Sequence, residues 1–388
     1  MFNKFLKKIL EFREITSFGV AIITTNAIGG IFWLYMASLL GAEQYGEISY
    51  LISIAIIAST ISLGGMTNTI IVYGAKGIKL QSTVFLTGLI SSAIGAIIIF
   101  FIFVNDLGTS IYVVGFVVFT LITSDLIGRK NYSKYSKIIL IQKIILVILA
   151  ITLYHTMGLQ GVILGIAISF LPFIYIMIRS FKDIKIDFSI LKKNRKFVLN
   201  SFLLDVSNAS IGSVDKIIIA PILGFALLGN YQLGLQFMAI LSIIPGIFYQ
   251  YALPQDASGN STKGIKKIMI YISVGLAILS VLLSPIVIPI LFPEFIEAIE
   301  VIQIMSVSII SSTIVSAYVS KFLGLTKSKI VICGTGVGLA SLIPLLLLFA
   351  TTFGINGAAL AIVVSSIIHT MYYVIIDRKY INEKTSNS

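Results

Sequence analysis

Leu40-Gly-Ala-Glu-Gln-Tyr-Gly46 and Leu223-Gly-Phe-Ala-Leu-Leu-Gly229 share one pattern: Leu-Gly, three residues, a large side chain, then Gly, repeated at a distance of 183 residues. Each copy ends one apolar segment and leads directly into the next. A second pair opens two later segments alike, Gly158-Leu-Gln-Gly161-Val162 and Gly354-Ile-Asn-Gly357-Ala358. With 31 glycines in the chain, Leu-Gly pairs recur by chance. Two independent matches at equivalent positions argue instead for a duplicated half. The longest polar stretch, about residues 180–197, divides the halves, giving an N-terminal lobe over 1–190 and a C-terminal lobe over 191–388.

Composition says what those halves are made of. The chain is 57% hydrophobic and only 11% charged, more apolar sequence than a soluble core could absorb. Twelve stretches are long enough to cross roughly 30 Å of hydrocarbon. They lie near 17–40, 47–66, 82–104, 109–127, 138–157, 159–179, 198–224, 231–252, 268–291, 298–320, 328–351 and 354–376. With the N-terminus inside, twenty-six of the 28 lysines and arginines fall in seven cytoplasmic segments, and the outer loops hold none. This asymmetry predicts a multi-pass protein of the cell membrane with both termini cytoplasmic. The outer ends carry acids only: Glu43, Glu47, Asp106, Glu294, Glu297 and Glu300. Six spans per half is an even number, so the halves share one orientation. Their pseudo-twofold axis is expected along the membrane normal, with a substrate path between two six-helix lobes.

The net charge of +12 is therefore topological and predicts anionic membrane lipids, not nucleic acid, as the electrostatic partner. Residues 1–14 place Phe2, Phe5, Leu6, Ile9 and Phe12 among lysines, which predicts an interfacial amphipathic helix and not a cleaved signal. The single cysteine, Cys333, lies within a span, so no internal disulfide is expected. Prolines within spans are concentrated in the second half, at Pro221, Pro245, Pro285, Pro289 and Pro344, which predicts more kinked helices there. Gly29-Gly30 is the flexible point expected in the first span.

The seventh span, 198–224, carries the most informative chemistry. At 100° per residue, Ser201, Asp205, Asn208, Gly212, Asp215 and Lys216 fall on one stripe about 100° wide. Three ionisable groups near a helix centre cost roughly 2.5–3.5 kcal/mol each, about 8–10 in all. The thirteen Val, Leu, Ile and Phe residues of the span offset only about 6 kcal/mol. The stripe is thus expected to face a bundle or a wet cavity. Asp205 and Lys216 stand roughly 16 Å apart along an unbroken helix, too far to pair directly. A buried ion pair with another helix is the plainer alternative.

Other positions carry weaker signals. Lys143, the only other cation inside a span, reads by default as snorkelling to the cytoplasmic headgroups, and alternatively as a ligand for lipid phosphate. Asn26, beside Thr24 and Thr25, has two readings, cavity lining and inter-helix hydrogen bond. Gln232 and Gln236, one turn apart on the eighth span, are candidates to meet sugar hydroxyls. The serines of the tenth span read as close helix packing, and His369 as a satisfied structural histidine.

Leu39-Leu-Gly-Ala-Glu-Gln-Tyr-Gly-Glu-Ile-Ser-Tyr50 resembles the first-loop signature of the O-antigen flippase (Wzx-type) family. So do Leu228-Gly-Asn-Tyr-Gln232 and Phe353-Gly-Ile-Asn-Gly-Ala-Ala-Leu-Ala361, at matching topological positions along essentially the whole chain. That family belongs to the multidrug/oligosaccharidyl-lipid/polysaccharide exporter superfamily. The resemblance implies an all-α, MATE-like fold of about twelve transmembrane helices. It implies flipping of an isoprenoid-pyrophosphate-linked oligosaccharide to the outer leaflet for surface glycan assembly. A polysaccharide polymerase and glycosyltransferases are implied partners, and the chain is expected to work as a monomer. Many members carry an arginine just before the first-loop signature, where this chain has Ser38.

On this reading Lys216, with Asp205, Asn208, Asp215, Asn26, Gln232, Gln236 and Lys143, forms the substrate-binding set. Lys216 is expected to stabilise the pyrophosphate, since two phosphates do not cross an apolar pathway uncompensated. No metal and no cofactor are expected beyond a coupling H⁺ or Na⁺ exchanged at Asp205 or Asp215. Asp215, further from the cytoplasmic end, is the stronger coupling candidate. Rocking lobes are expected to give alternating access. A cation-coupled multidrug antiporter of the same superfamily is the main alternative. No Walker A sequence is present, and the short outer loops lack a tuned carboxylate pair for glycosyl chemistry, so the chain is expected not to be an enzyme. Gly65-Met-Thr-Asn-Thr69 is unlike the major-facilitator signature, and a purely structural partner of a glycan assembly complex is a remaining minor reading.

Overall fold

A computed structural model describes residues 2–104, 106–180, 186–258, 262–325 and 327–386, and the described residues contain helices and no strand. The helices of the first half are α1 (Phe2–Leu63), α2 (Met66–Ala75), α3 (Gln81–Ile98), α4 (Leu107–Gly128), α5 (Tyr132–Met157), α6 (Leu159–Ile168) and α7 (Ile174–Ser180). They continue with α8 (Ser189–Lys193), α9 (Arg195–Ser210), α10 (Val214–Leu223), α11 (Phe225–Leu241) and α12 (Ile243–Ala257). The last three are α13 (Lys263–Leu291), α14 (Ala298–Gly324) and α15 (Ser328–Ser386). The backbone is helical from Phe2; the side-chain packing of the expected interfacial segment lies outside the described residues.

Eight helices among the described residues are long and apolar enough to cross a membrane, or ten if each of two bent pairs is one span. Two of the eight are of double length, Phe18–Leu63 with 46 residues and Ser328–Tyr380 with 53. At 1.5 Å per residue they run to about 69 and 80 Å, more than twice the roughly 30 Å of hydrocarbon. Each breaks near its middle at a glycine, so each supplies two segments, and the twelve expected segments are accounted for.

The breaks show the repeat in the backbone itself. Gly41 has φ 72°, ψ 174°, and Gly224, its counterpart, has φ 84°, ψ 170°. Gly158, before α6, has φ 63°, ψ −142°, and Gly354, inside α15, has φ 61°, ψ −141°. These conformations are open essentially to glycine alone. The two halves thus turn at matched positions with matched dihedrals.

The chain forms two compact units, Met1–Trp33 with Leu51–Ser213, and Leu34–Tyr50 with Val214–Ser388. The boundary between these units falls at Ser213/Val214, and the first-loop signature groups with the second unit. In the first unit the core is built by α2, α3, α4 and α5 through Ile70, Val84, Phe85, Val117, Leu121 and Ile138. In the second, Tyr318, Phe322 and Tyr373 stack in parallel between α14 and α15. Exposed Ile278, Leu282, Ile286 and Ile290 on α13 recur every fourth residue, a continuous apolar face suited to lipid.

Within the second unit the two Leu-Gly motifs pack on each other. A Cβ on Gly46 would lie 1.9 Å from the Phe225 carbonyl oxygen, and one on Gly229 would lie 1.9 Å from that of Ala42. The first turns of the two helices therefore touch backbone to backbone, a contact that membrane helices make through small residues. Tyr45, buried one residue before Gly46, meets the Phe295 ring at 5.9 Å.

One expectation is corrected. The first span does not break at Gly29-Gly30, which is helical; it breaks at Gly41. Both helix pairs bent by more than 40° lie after residue 190, where the prolines are concentrated, but not every proline marks a break. Helix α13 continues through Pro285 and Pro289, and α15 through Pro344. One proline does account for a bend: α11 and α12 meet at 42°, where the Pro245 ring would clash with the carbonyl of Leu241 four residues earlier. Elsewhere the dihedrals demanded by glycine decide.

The reciprocal contact predicts that Gly46→Val and Gly229→Val each destabilise the protein by about 1–3 kcal/mol or more through overpacking. Gly336→Ala, where a Cβ would meet nothing within 4 Å, should be neutral. Thermal unfolding of the purified protein in detergent measures all three.

Candidate functional site

The seventh span is not one helix, so its polar stripe does not exist as a stripe. Helix α9 ends at Ser210, Ile211 is extended at φ −69°, ψ 113°, and Gly212 is left-handed at φ 80°. Ser210-Ile-Gly-Ser213 combines a glycine with serines that bond local backbone, the sequence of a helix interruption. Asp205 and Asn208 consequently belong to the first unit, and Asp215 and Lys216, in the first turn of α10, to the second.

In the second unit Asp215 is buried, and both of its oxygens are engaged. Oδ1 accepts the Lys216 backbone N–H at 2.9 Å, and Oδ2 accepts the Tyr231 hydroxyl at 2.8 Å. An acid in a first turn also faces the positive end of the helix dipole. The interruption thus turns Asp215 from a mid-span charge into a first-turn acid of a new helix. Lys216 beside it is buried. Gln232 faces the Tyr45 hydroxyl, and Gln236 follows one turn later on α11. Asn230 is structural: its Oδ1 accepts the Ala298 N–H at 2.9 Å and so holds the start of α14.

In the first unit Asp205 is half-buried. Oδ1 accepts a hydrogen bond from Asn68 Nδ2 at 2.9 Å, whereas Oδ2 is enclosed with no hydrogen-bond partner among the described residues. Asn68 reaches it because Gly65 brings α2 against α9; a Cβ there would lie 2.3 Å from the Val198 carbonyl oxygen. Asn208 and Asn26 are exposed, while Thr25 donates to the backbone of its own helix.

Lys143 turns toward α1. Its Nζ lies 3.4 Å from where a Cβ on Gly29 would be, beside a residue about 18 Å along α1 from Ser17. It is largely enclosed and makes no ion pair or hydrogen bond among the described residues. His369 is not the satisfied histidine expected: its ring rests against Tyr373 at 5.3 Å between centres, but its Nε2 is buried with no hydrogen-bond partner among the described residues.

The candidate residues therefore gather into separate groups: Asp205 with Asn68, Lys143 over Gly29, and Asp215, Lys216 and Tyr231 around the start of α10. Two partners escaped the sequence reading. Asn68 stands in Gly-Gly-Met-Thr-Asn68, and only its place in that glycine turn hinted at a role. Tyr231 lies within the motif that follows the seventh span, where its ring reads as packing.

Solved structures share this fold. The structure titled lipid II flippase MurJ, in an inward closed conformation, superposes with a TM-score of 0.75 at 15% identity, covering 93% of this chain and 87% of that one. An inward-facing multidrug resistance MATE family transporter of the MOP superfamily gives 0.65 at 14% identity, covering 97% and 99%. A MOP superfamily transporter from Pyrococcus furiosus gives 0.58 at 14%, covering 95% and 94%. No protein-family model and no curated protein sequence matches the chain. The chain has the fold common to these flippase and multidrug transporter structures, a two-lobe helical membrane protein.

The geometry at α10 predicts that Tyr231→Phe, which strips a buried carboxylate of a donor, destabilises by about 1.5–3 kcal/mol. Asn208→Ala, on an exposed face, should change stability by less than about 0.5 kcal/mol. Denaturation in detergent compares the two, and Asp215→Asn completes a double-mutant cycle that should show coupling between Asp215 and Tyr231.

Proposed function

We propose that this chain is a membrane flippase that carries an isoprenoid-pyrophosphate-linked oligosaccharide from the cytoplasmic to the outer leaflet of the cell membrane for surface glycan assembly. The observation that carries this reading is Lys143. An ammonium inside a span costs about 2.5–3.5 kcal/mol, and this one has no counter-ion among the described residues. A passing pyrophosphate is the partner that offsets that cost through charge-assisted hydrogen bonds. Lys216, buried in the second unit, offers a second cation. The fold supports the reading as well, since the 0.75 superposition covering 93% of the chain is with a lipid flippase.

Asp205 is the acid suited to exchange a coupling H⁺ or Na⁺. One of its oxygens is unclaimed among the described residues, whereas Asp215 has both engaged. This reverses the order expected from depth along a straight helix. The same unclaimed oxygen favours the second reading, a cation-coupled multidrug antiporter.

Two experiments test the proposal. In liposomes carrying a fluorescent short-chain polyprenyl-pyrophosphate oligosaccharide, Lys143→Arg should retain partial flipping, and Lys143→Ala should lose tenfold or more (about 1.4 kcal/mol) at equal folded protein. Asp205→Asn should flip without responding to an imposed pH or Na⁺ gradient, and Asp215→Asn should respond more nearly as the wild type does. Cation-driven dye export by the wild type, with no flipping, would replace this reading by the antiporter. For orientation, cysteines at exposed Gln44 and Lys193 in a Cys333→Ser background should label differently. Position 44 is expected to label in intact cells and position 193 only after permeabilisation. The opposite pattern overturns the direction of transport.

A further inference from the structure

A cavity of about 550 Å³ opens in the first unit where α2, α3, α4, α5 and α7 end or begin. Its wall carries Lys79, Arg129, Lys134 and Arg179, four cations drawn from four places in the chain, and one acid, Asp125. The acid is buried and already engaged: its Oδ1 accepts Gln81 Nε2 at 2.5 Å and Arg129 Nε at 3.1 Å. Lys79, Lys134 and Arg179 make no ion pair among the described residues. Among the described residues only one of the four charges is thus neutralised, and the wall they form is strongly positive.

The backbone adds to this field. Helix α3 begins at the cavity, with Leu80 and Gln81 in the wall, and no side chain caps it. Its first N–H groups and the positive end of an 18-residue helix face the same space. Uncapped N–H donors, two guanidinium forks and two ammonium groups around one hollow are the complement of tetrahedral oxyanions. The four cations are themselves exposed, and it is their convergence on one concavity from four places in the chain that sets them apart from cations placed only to satisfy topology. The cavity is also large for a bare ion and fits a whole phosphorylated headgroup.

We propose that this cavity binds a phosphate ester, at a site distinct from Lys143 and Asp205 and independent of the transport reading. The phosphate has two sources, the headgroup of an anionic phospholipid and a water-soluble phosphorylated molecule. A bound phosphate would join α3, α4, α5 and α7 and so stabilise the first unit by mass action.

Purified full-length protein in neutral detergent is titrated separately with inorganic pyrophosphate and with monomeric dihexanoyl phosphatidylglycerol. Binding is read as saturable Kd and as a rise in unfolding temperature. The variant Lys79→Gln/Lys134→Gln/Arg179→Gln removes three cations and leaves the Asp125 bonds in place. A control of equal charge change is Lys192→Gln/Lys193→Gln/Lys196→Gln. Saturable binding of either probe, weakened about tenfold or more in the cavity variant and less than about threefold in the control, supports the site. Binding of the lipid alone assigns a headgroup, and binding of pyrophosphate assigns a soluble phosphate. Arg179→Gln alone should weaken binding in the same direction, which keeps the test decisive if the triple variant folds poorly. Absence of saturable binding for both probes, or equal weakening in cavity and control variants, overturns the proposal.

Discussion

The contact on which the second unit depends is made without side chains. Gly46 and Gly229 each bring a helix start so near the other's carbonyls that one added carbon would stand 1.9 Å from an oxygen. Between helices in hydrocarbon there is no hydrophobic gain in association, because lipid is as apolar as leucine. Van der Waals contact and small residues supply what water supplies elsewhere. Large neighbours such as Tyr45, Phe225 and Phe295 then surround the crossing instead of filling it. This explains how Leu34–Tyr50 is counted with the second unit while the rest of the same long helix belongs to the first.

Polar chemistry within the spans follows a similar economy of partners. Asp215 accepts a first-turn N–H and a tyrosine hydroxyl; among the described residues Asp205 takes an asparagine amide on one oxygen only, and Lys143 takes nothing. The cost of an ionisable group in a span scales with what it lacks. Asp205 and Lys143 are therefore the groups with free energy still to gain, and the ones from which a passing ion or headgroup has the most to offer. Asp125, pinned between Gln81 and Arg129, marks the opposite extreme: its charge is spent on holding α3 to the end of α4.

Much of the architecture was legible because long apolar runs and glycine breaks are local signals. Hydrophobic length alone located all twelve segments, and the paired Leu-Gly and Gly-x-x-Gly motifs marked breaks whose dihedrals agree within about a dozen degrees. The polar residues were legible as a set and not as an arrangement. Counting 100° per residue through 198–224 assumes a continuous helix, and one left-handed residue at Gly212 voids the count for everything beyond it. The neighbour of Lys143 was not legible for a different reason. The lysine side chain reaches toward Gly29, more than 100 residues away in sequence, and no local rule announces such a gap. Asn68 and Tyr231 were missed because a partner across helices is a property of packing.

The glycines of the duplicated motifs are required for two unlike reasons. At Gly46 and Gly229 the objection to a side chain is volume. At Gly158, Gly224 and Gly354 a Cβ would meet nothing within 4 Å, and the objection is handedness, since only an achiral residue enters those dihedrals without strain. Volume can be renegotiated by neighbours that shrink or shift, so a volume constraint drifts as the surroundings change. Handedness has no neighbour to negotiate with. After duplication, the two halves of such a chain are free to diverge at nearly every side chain and still share the places where only an achiral residue fits. Those positions act as registration marks from which an ancestral symmetry can be read when the intervening sequence no longer aligns.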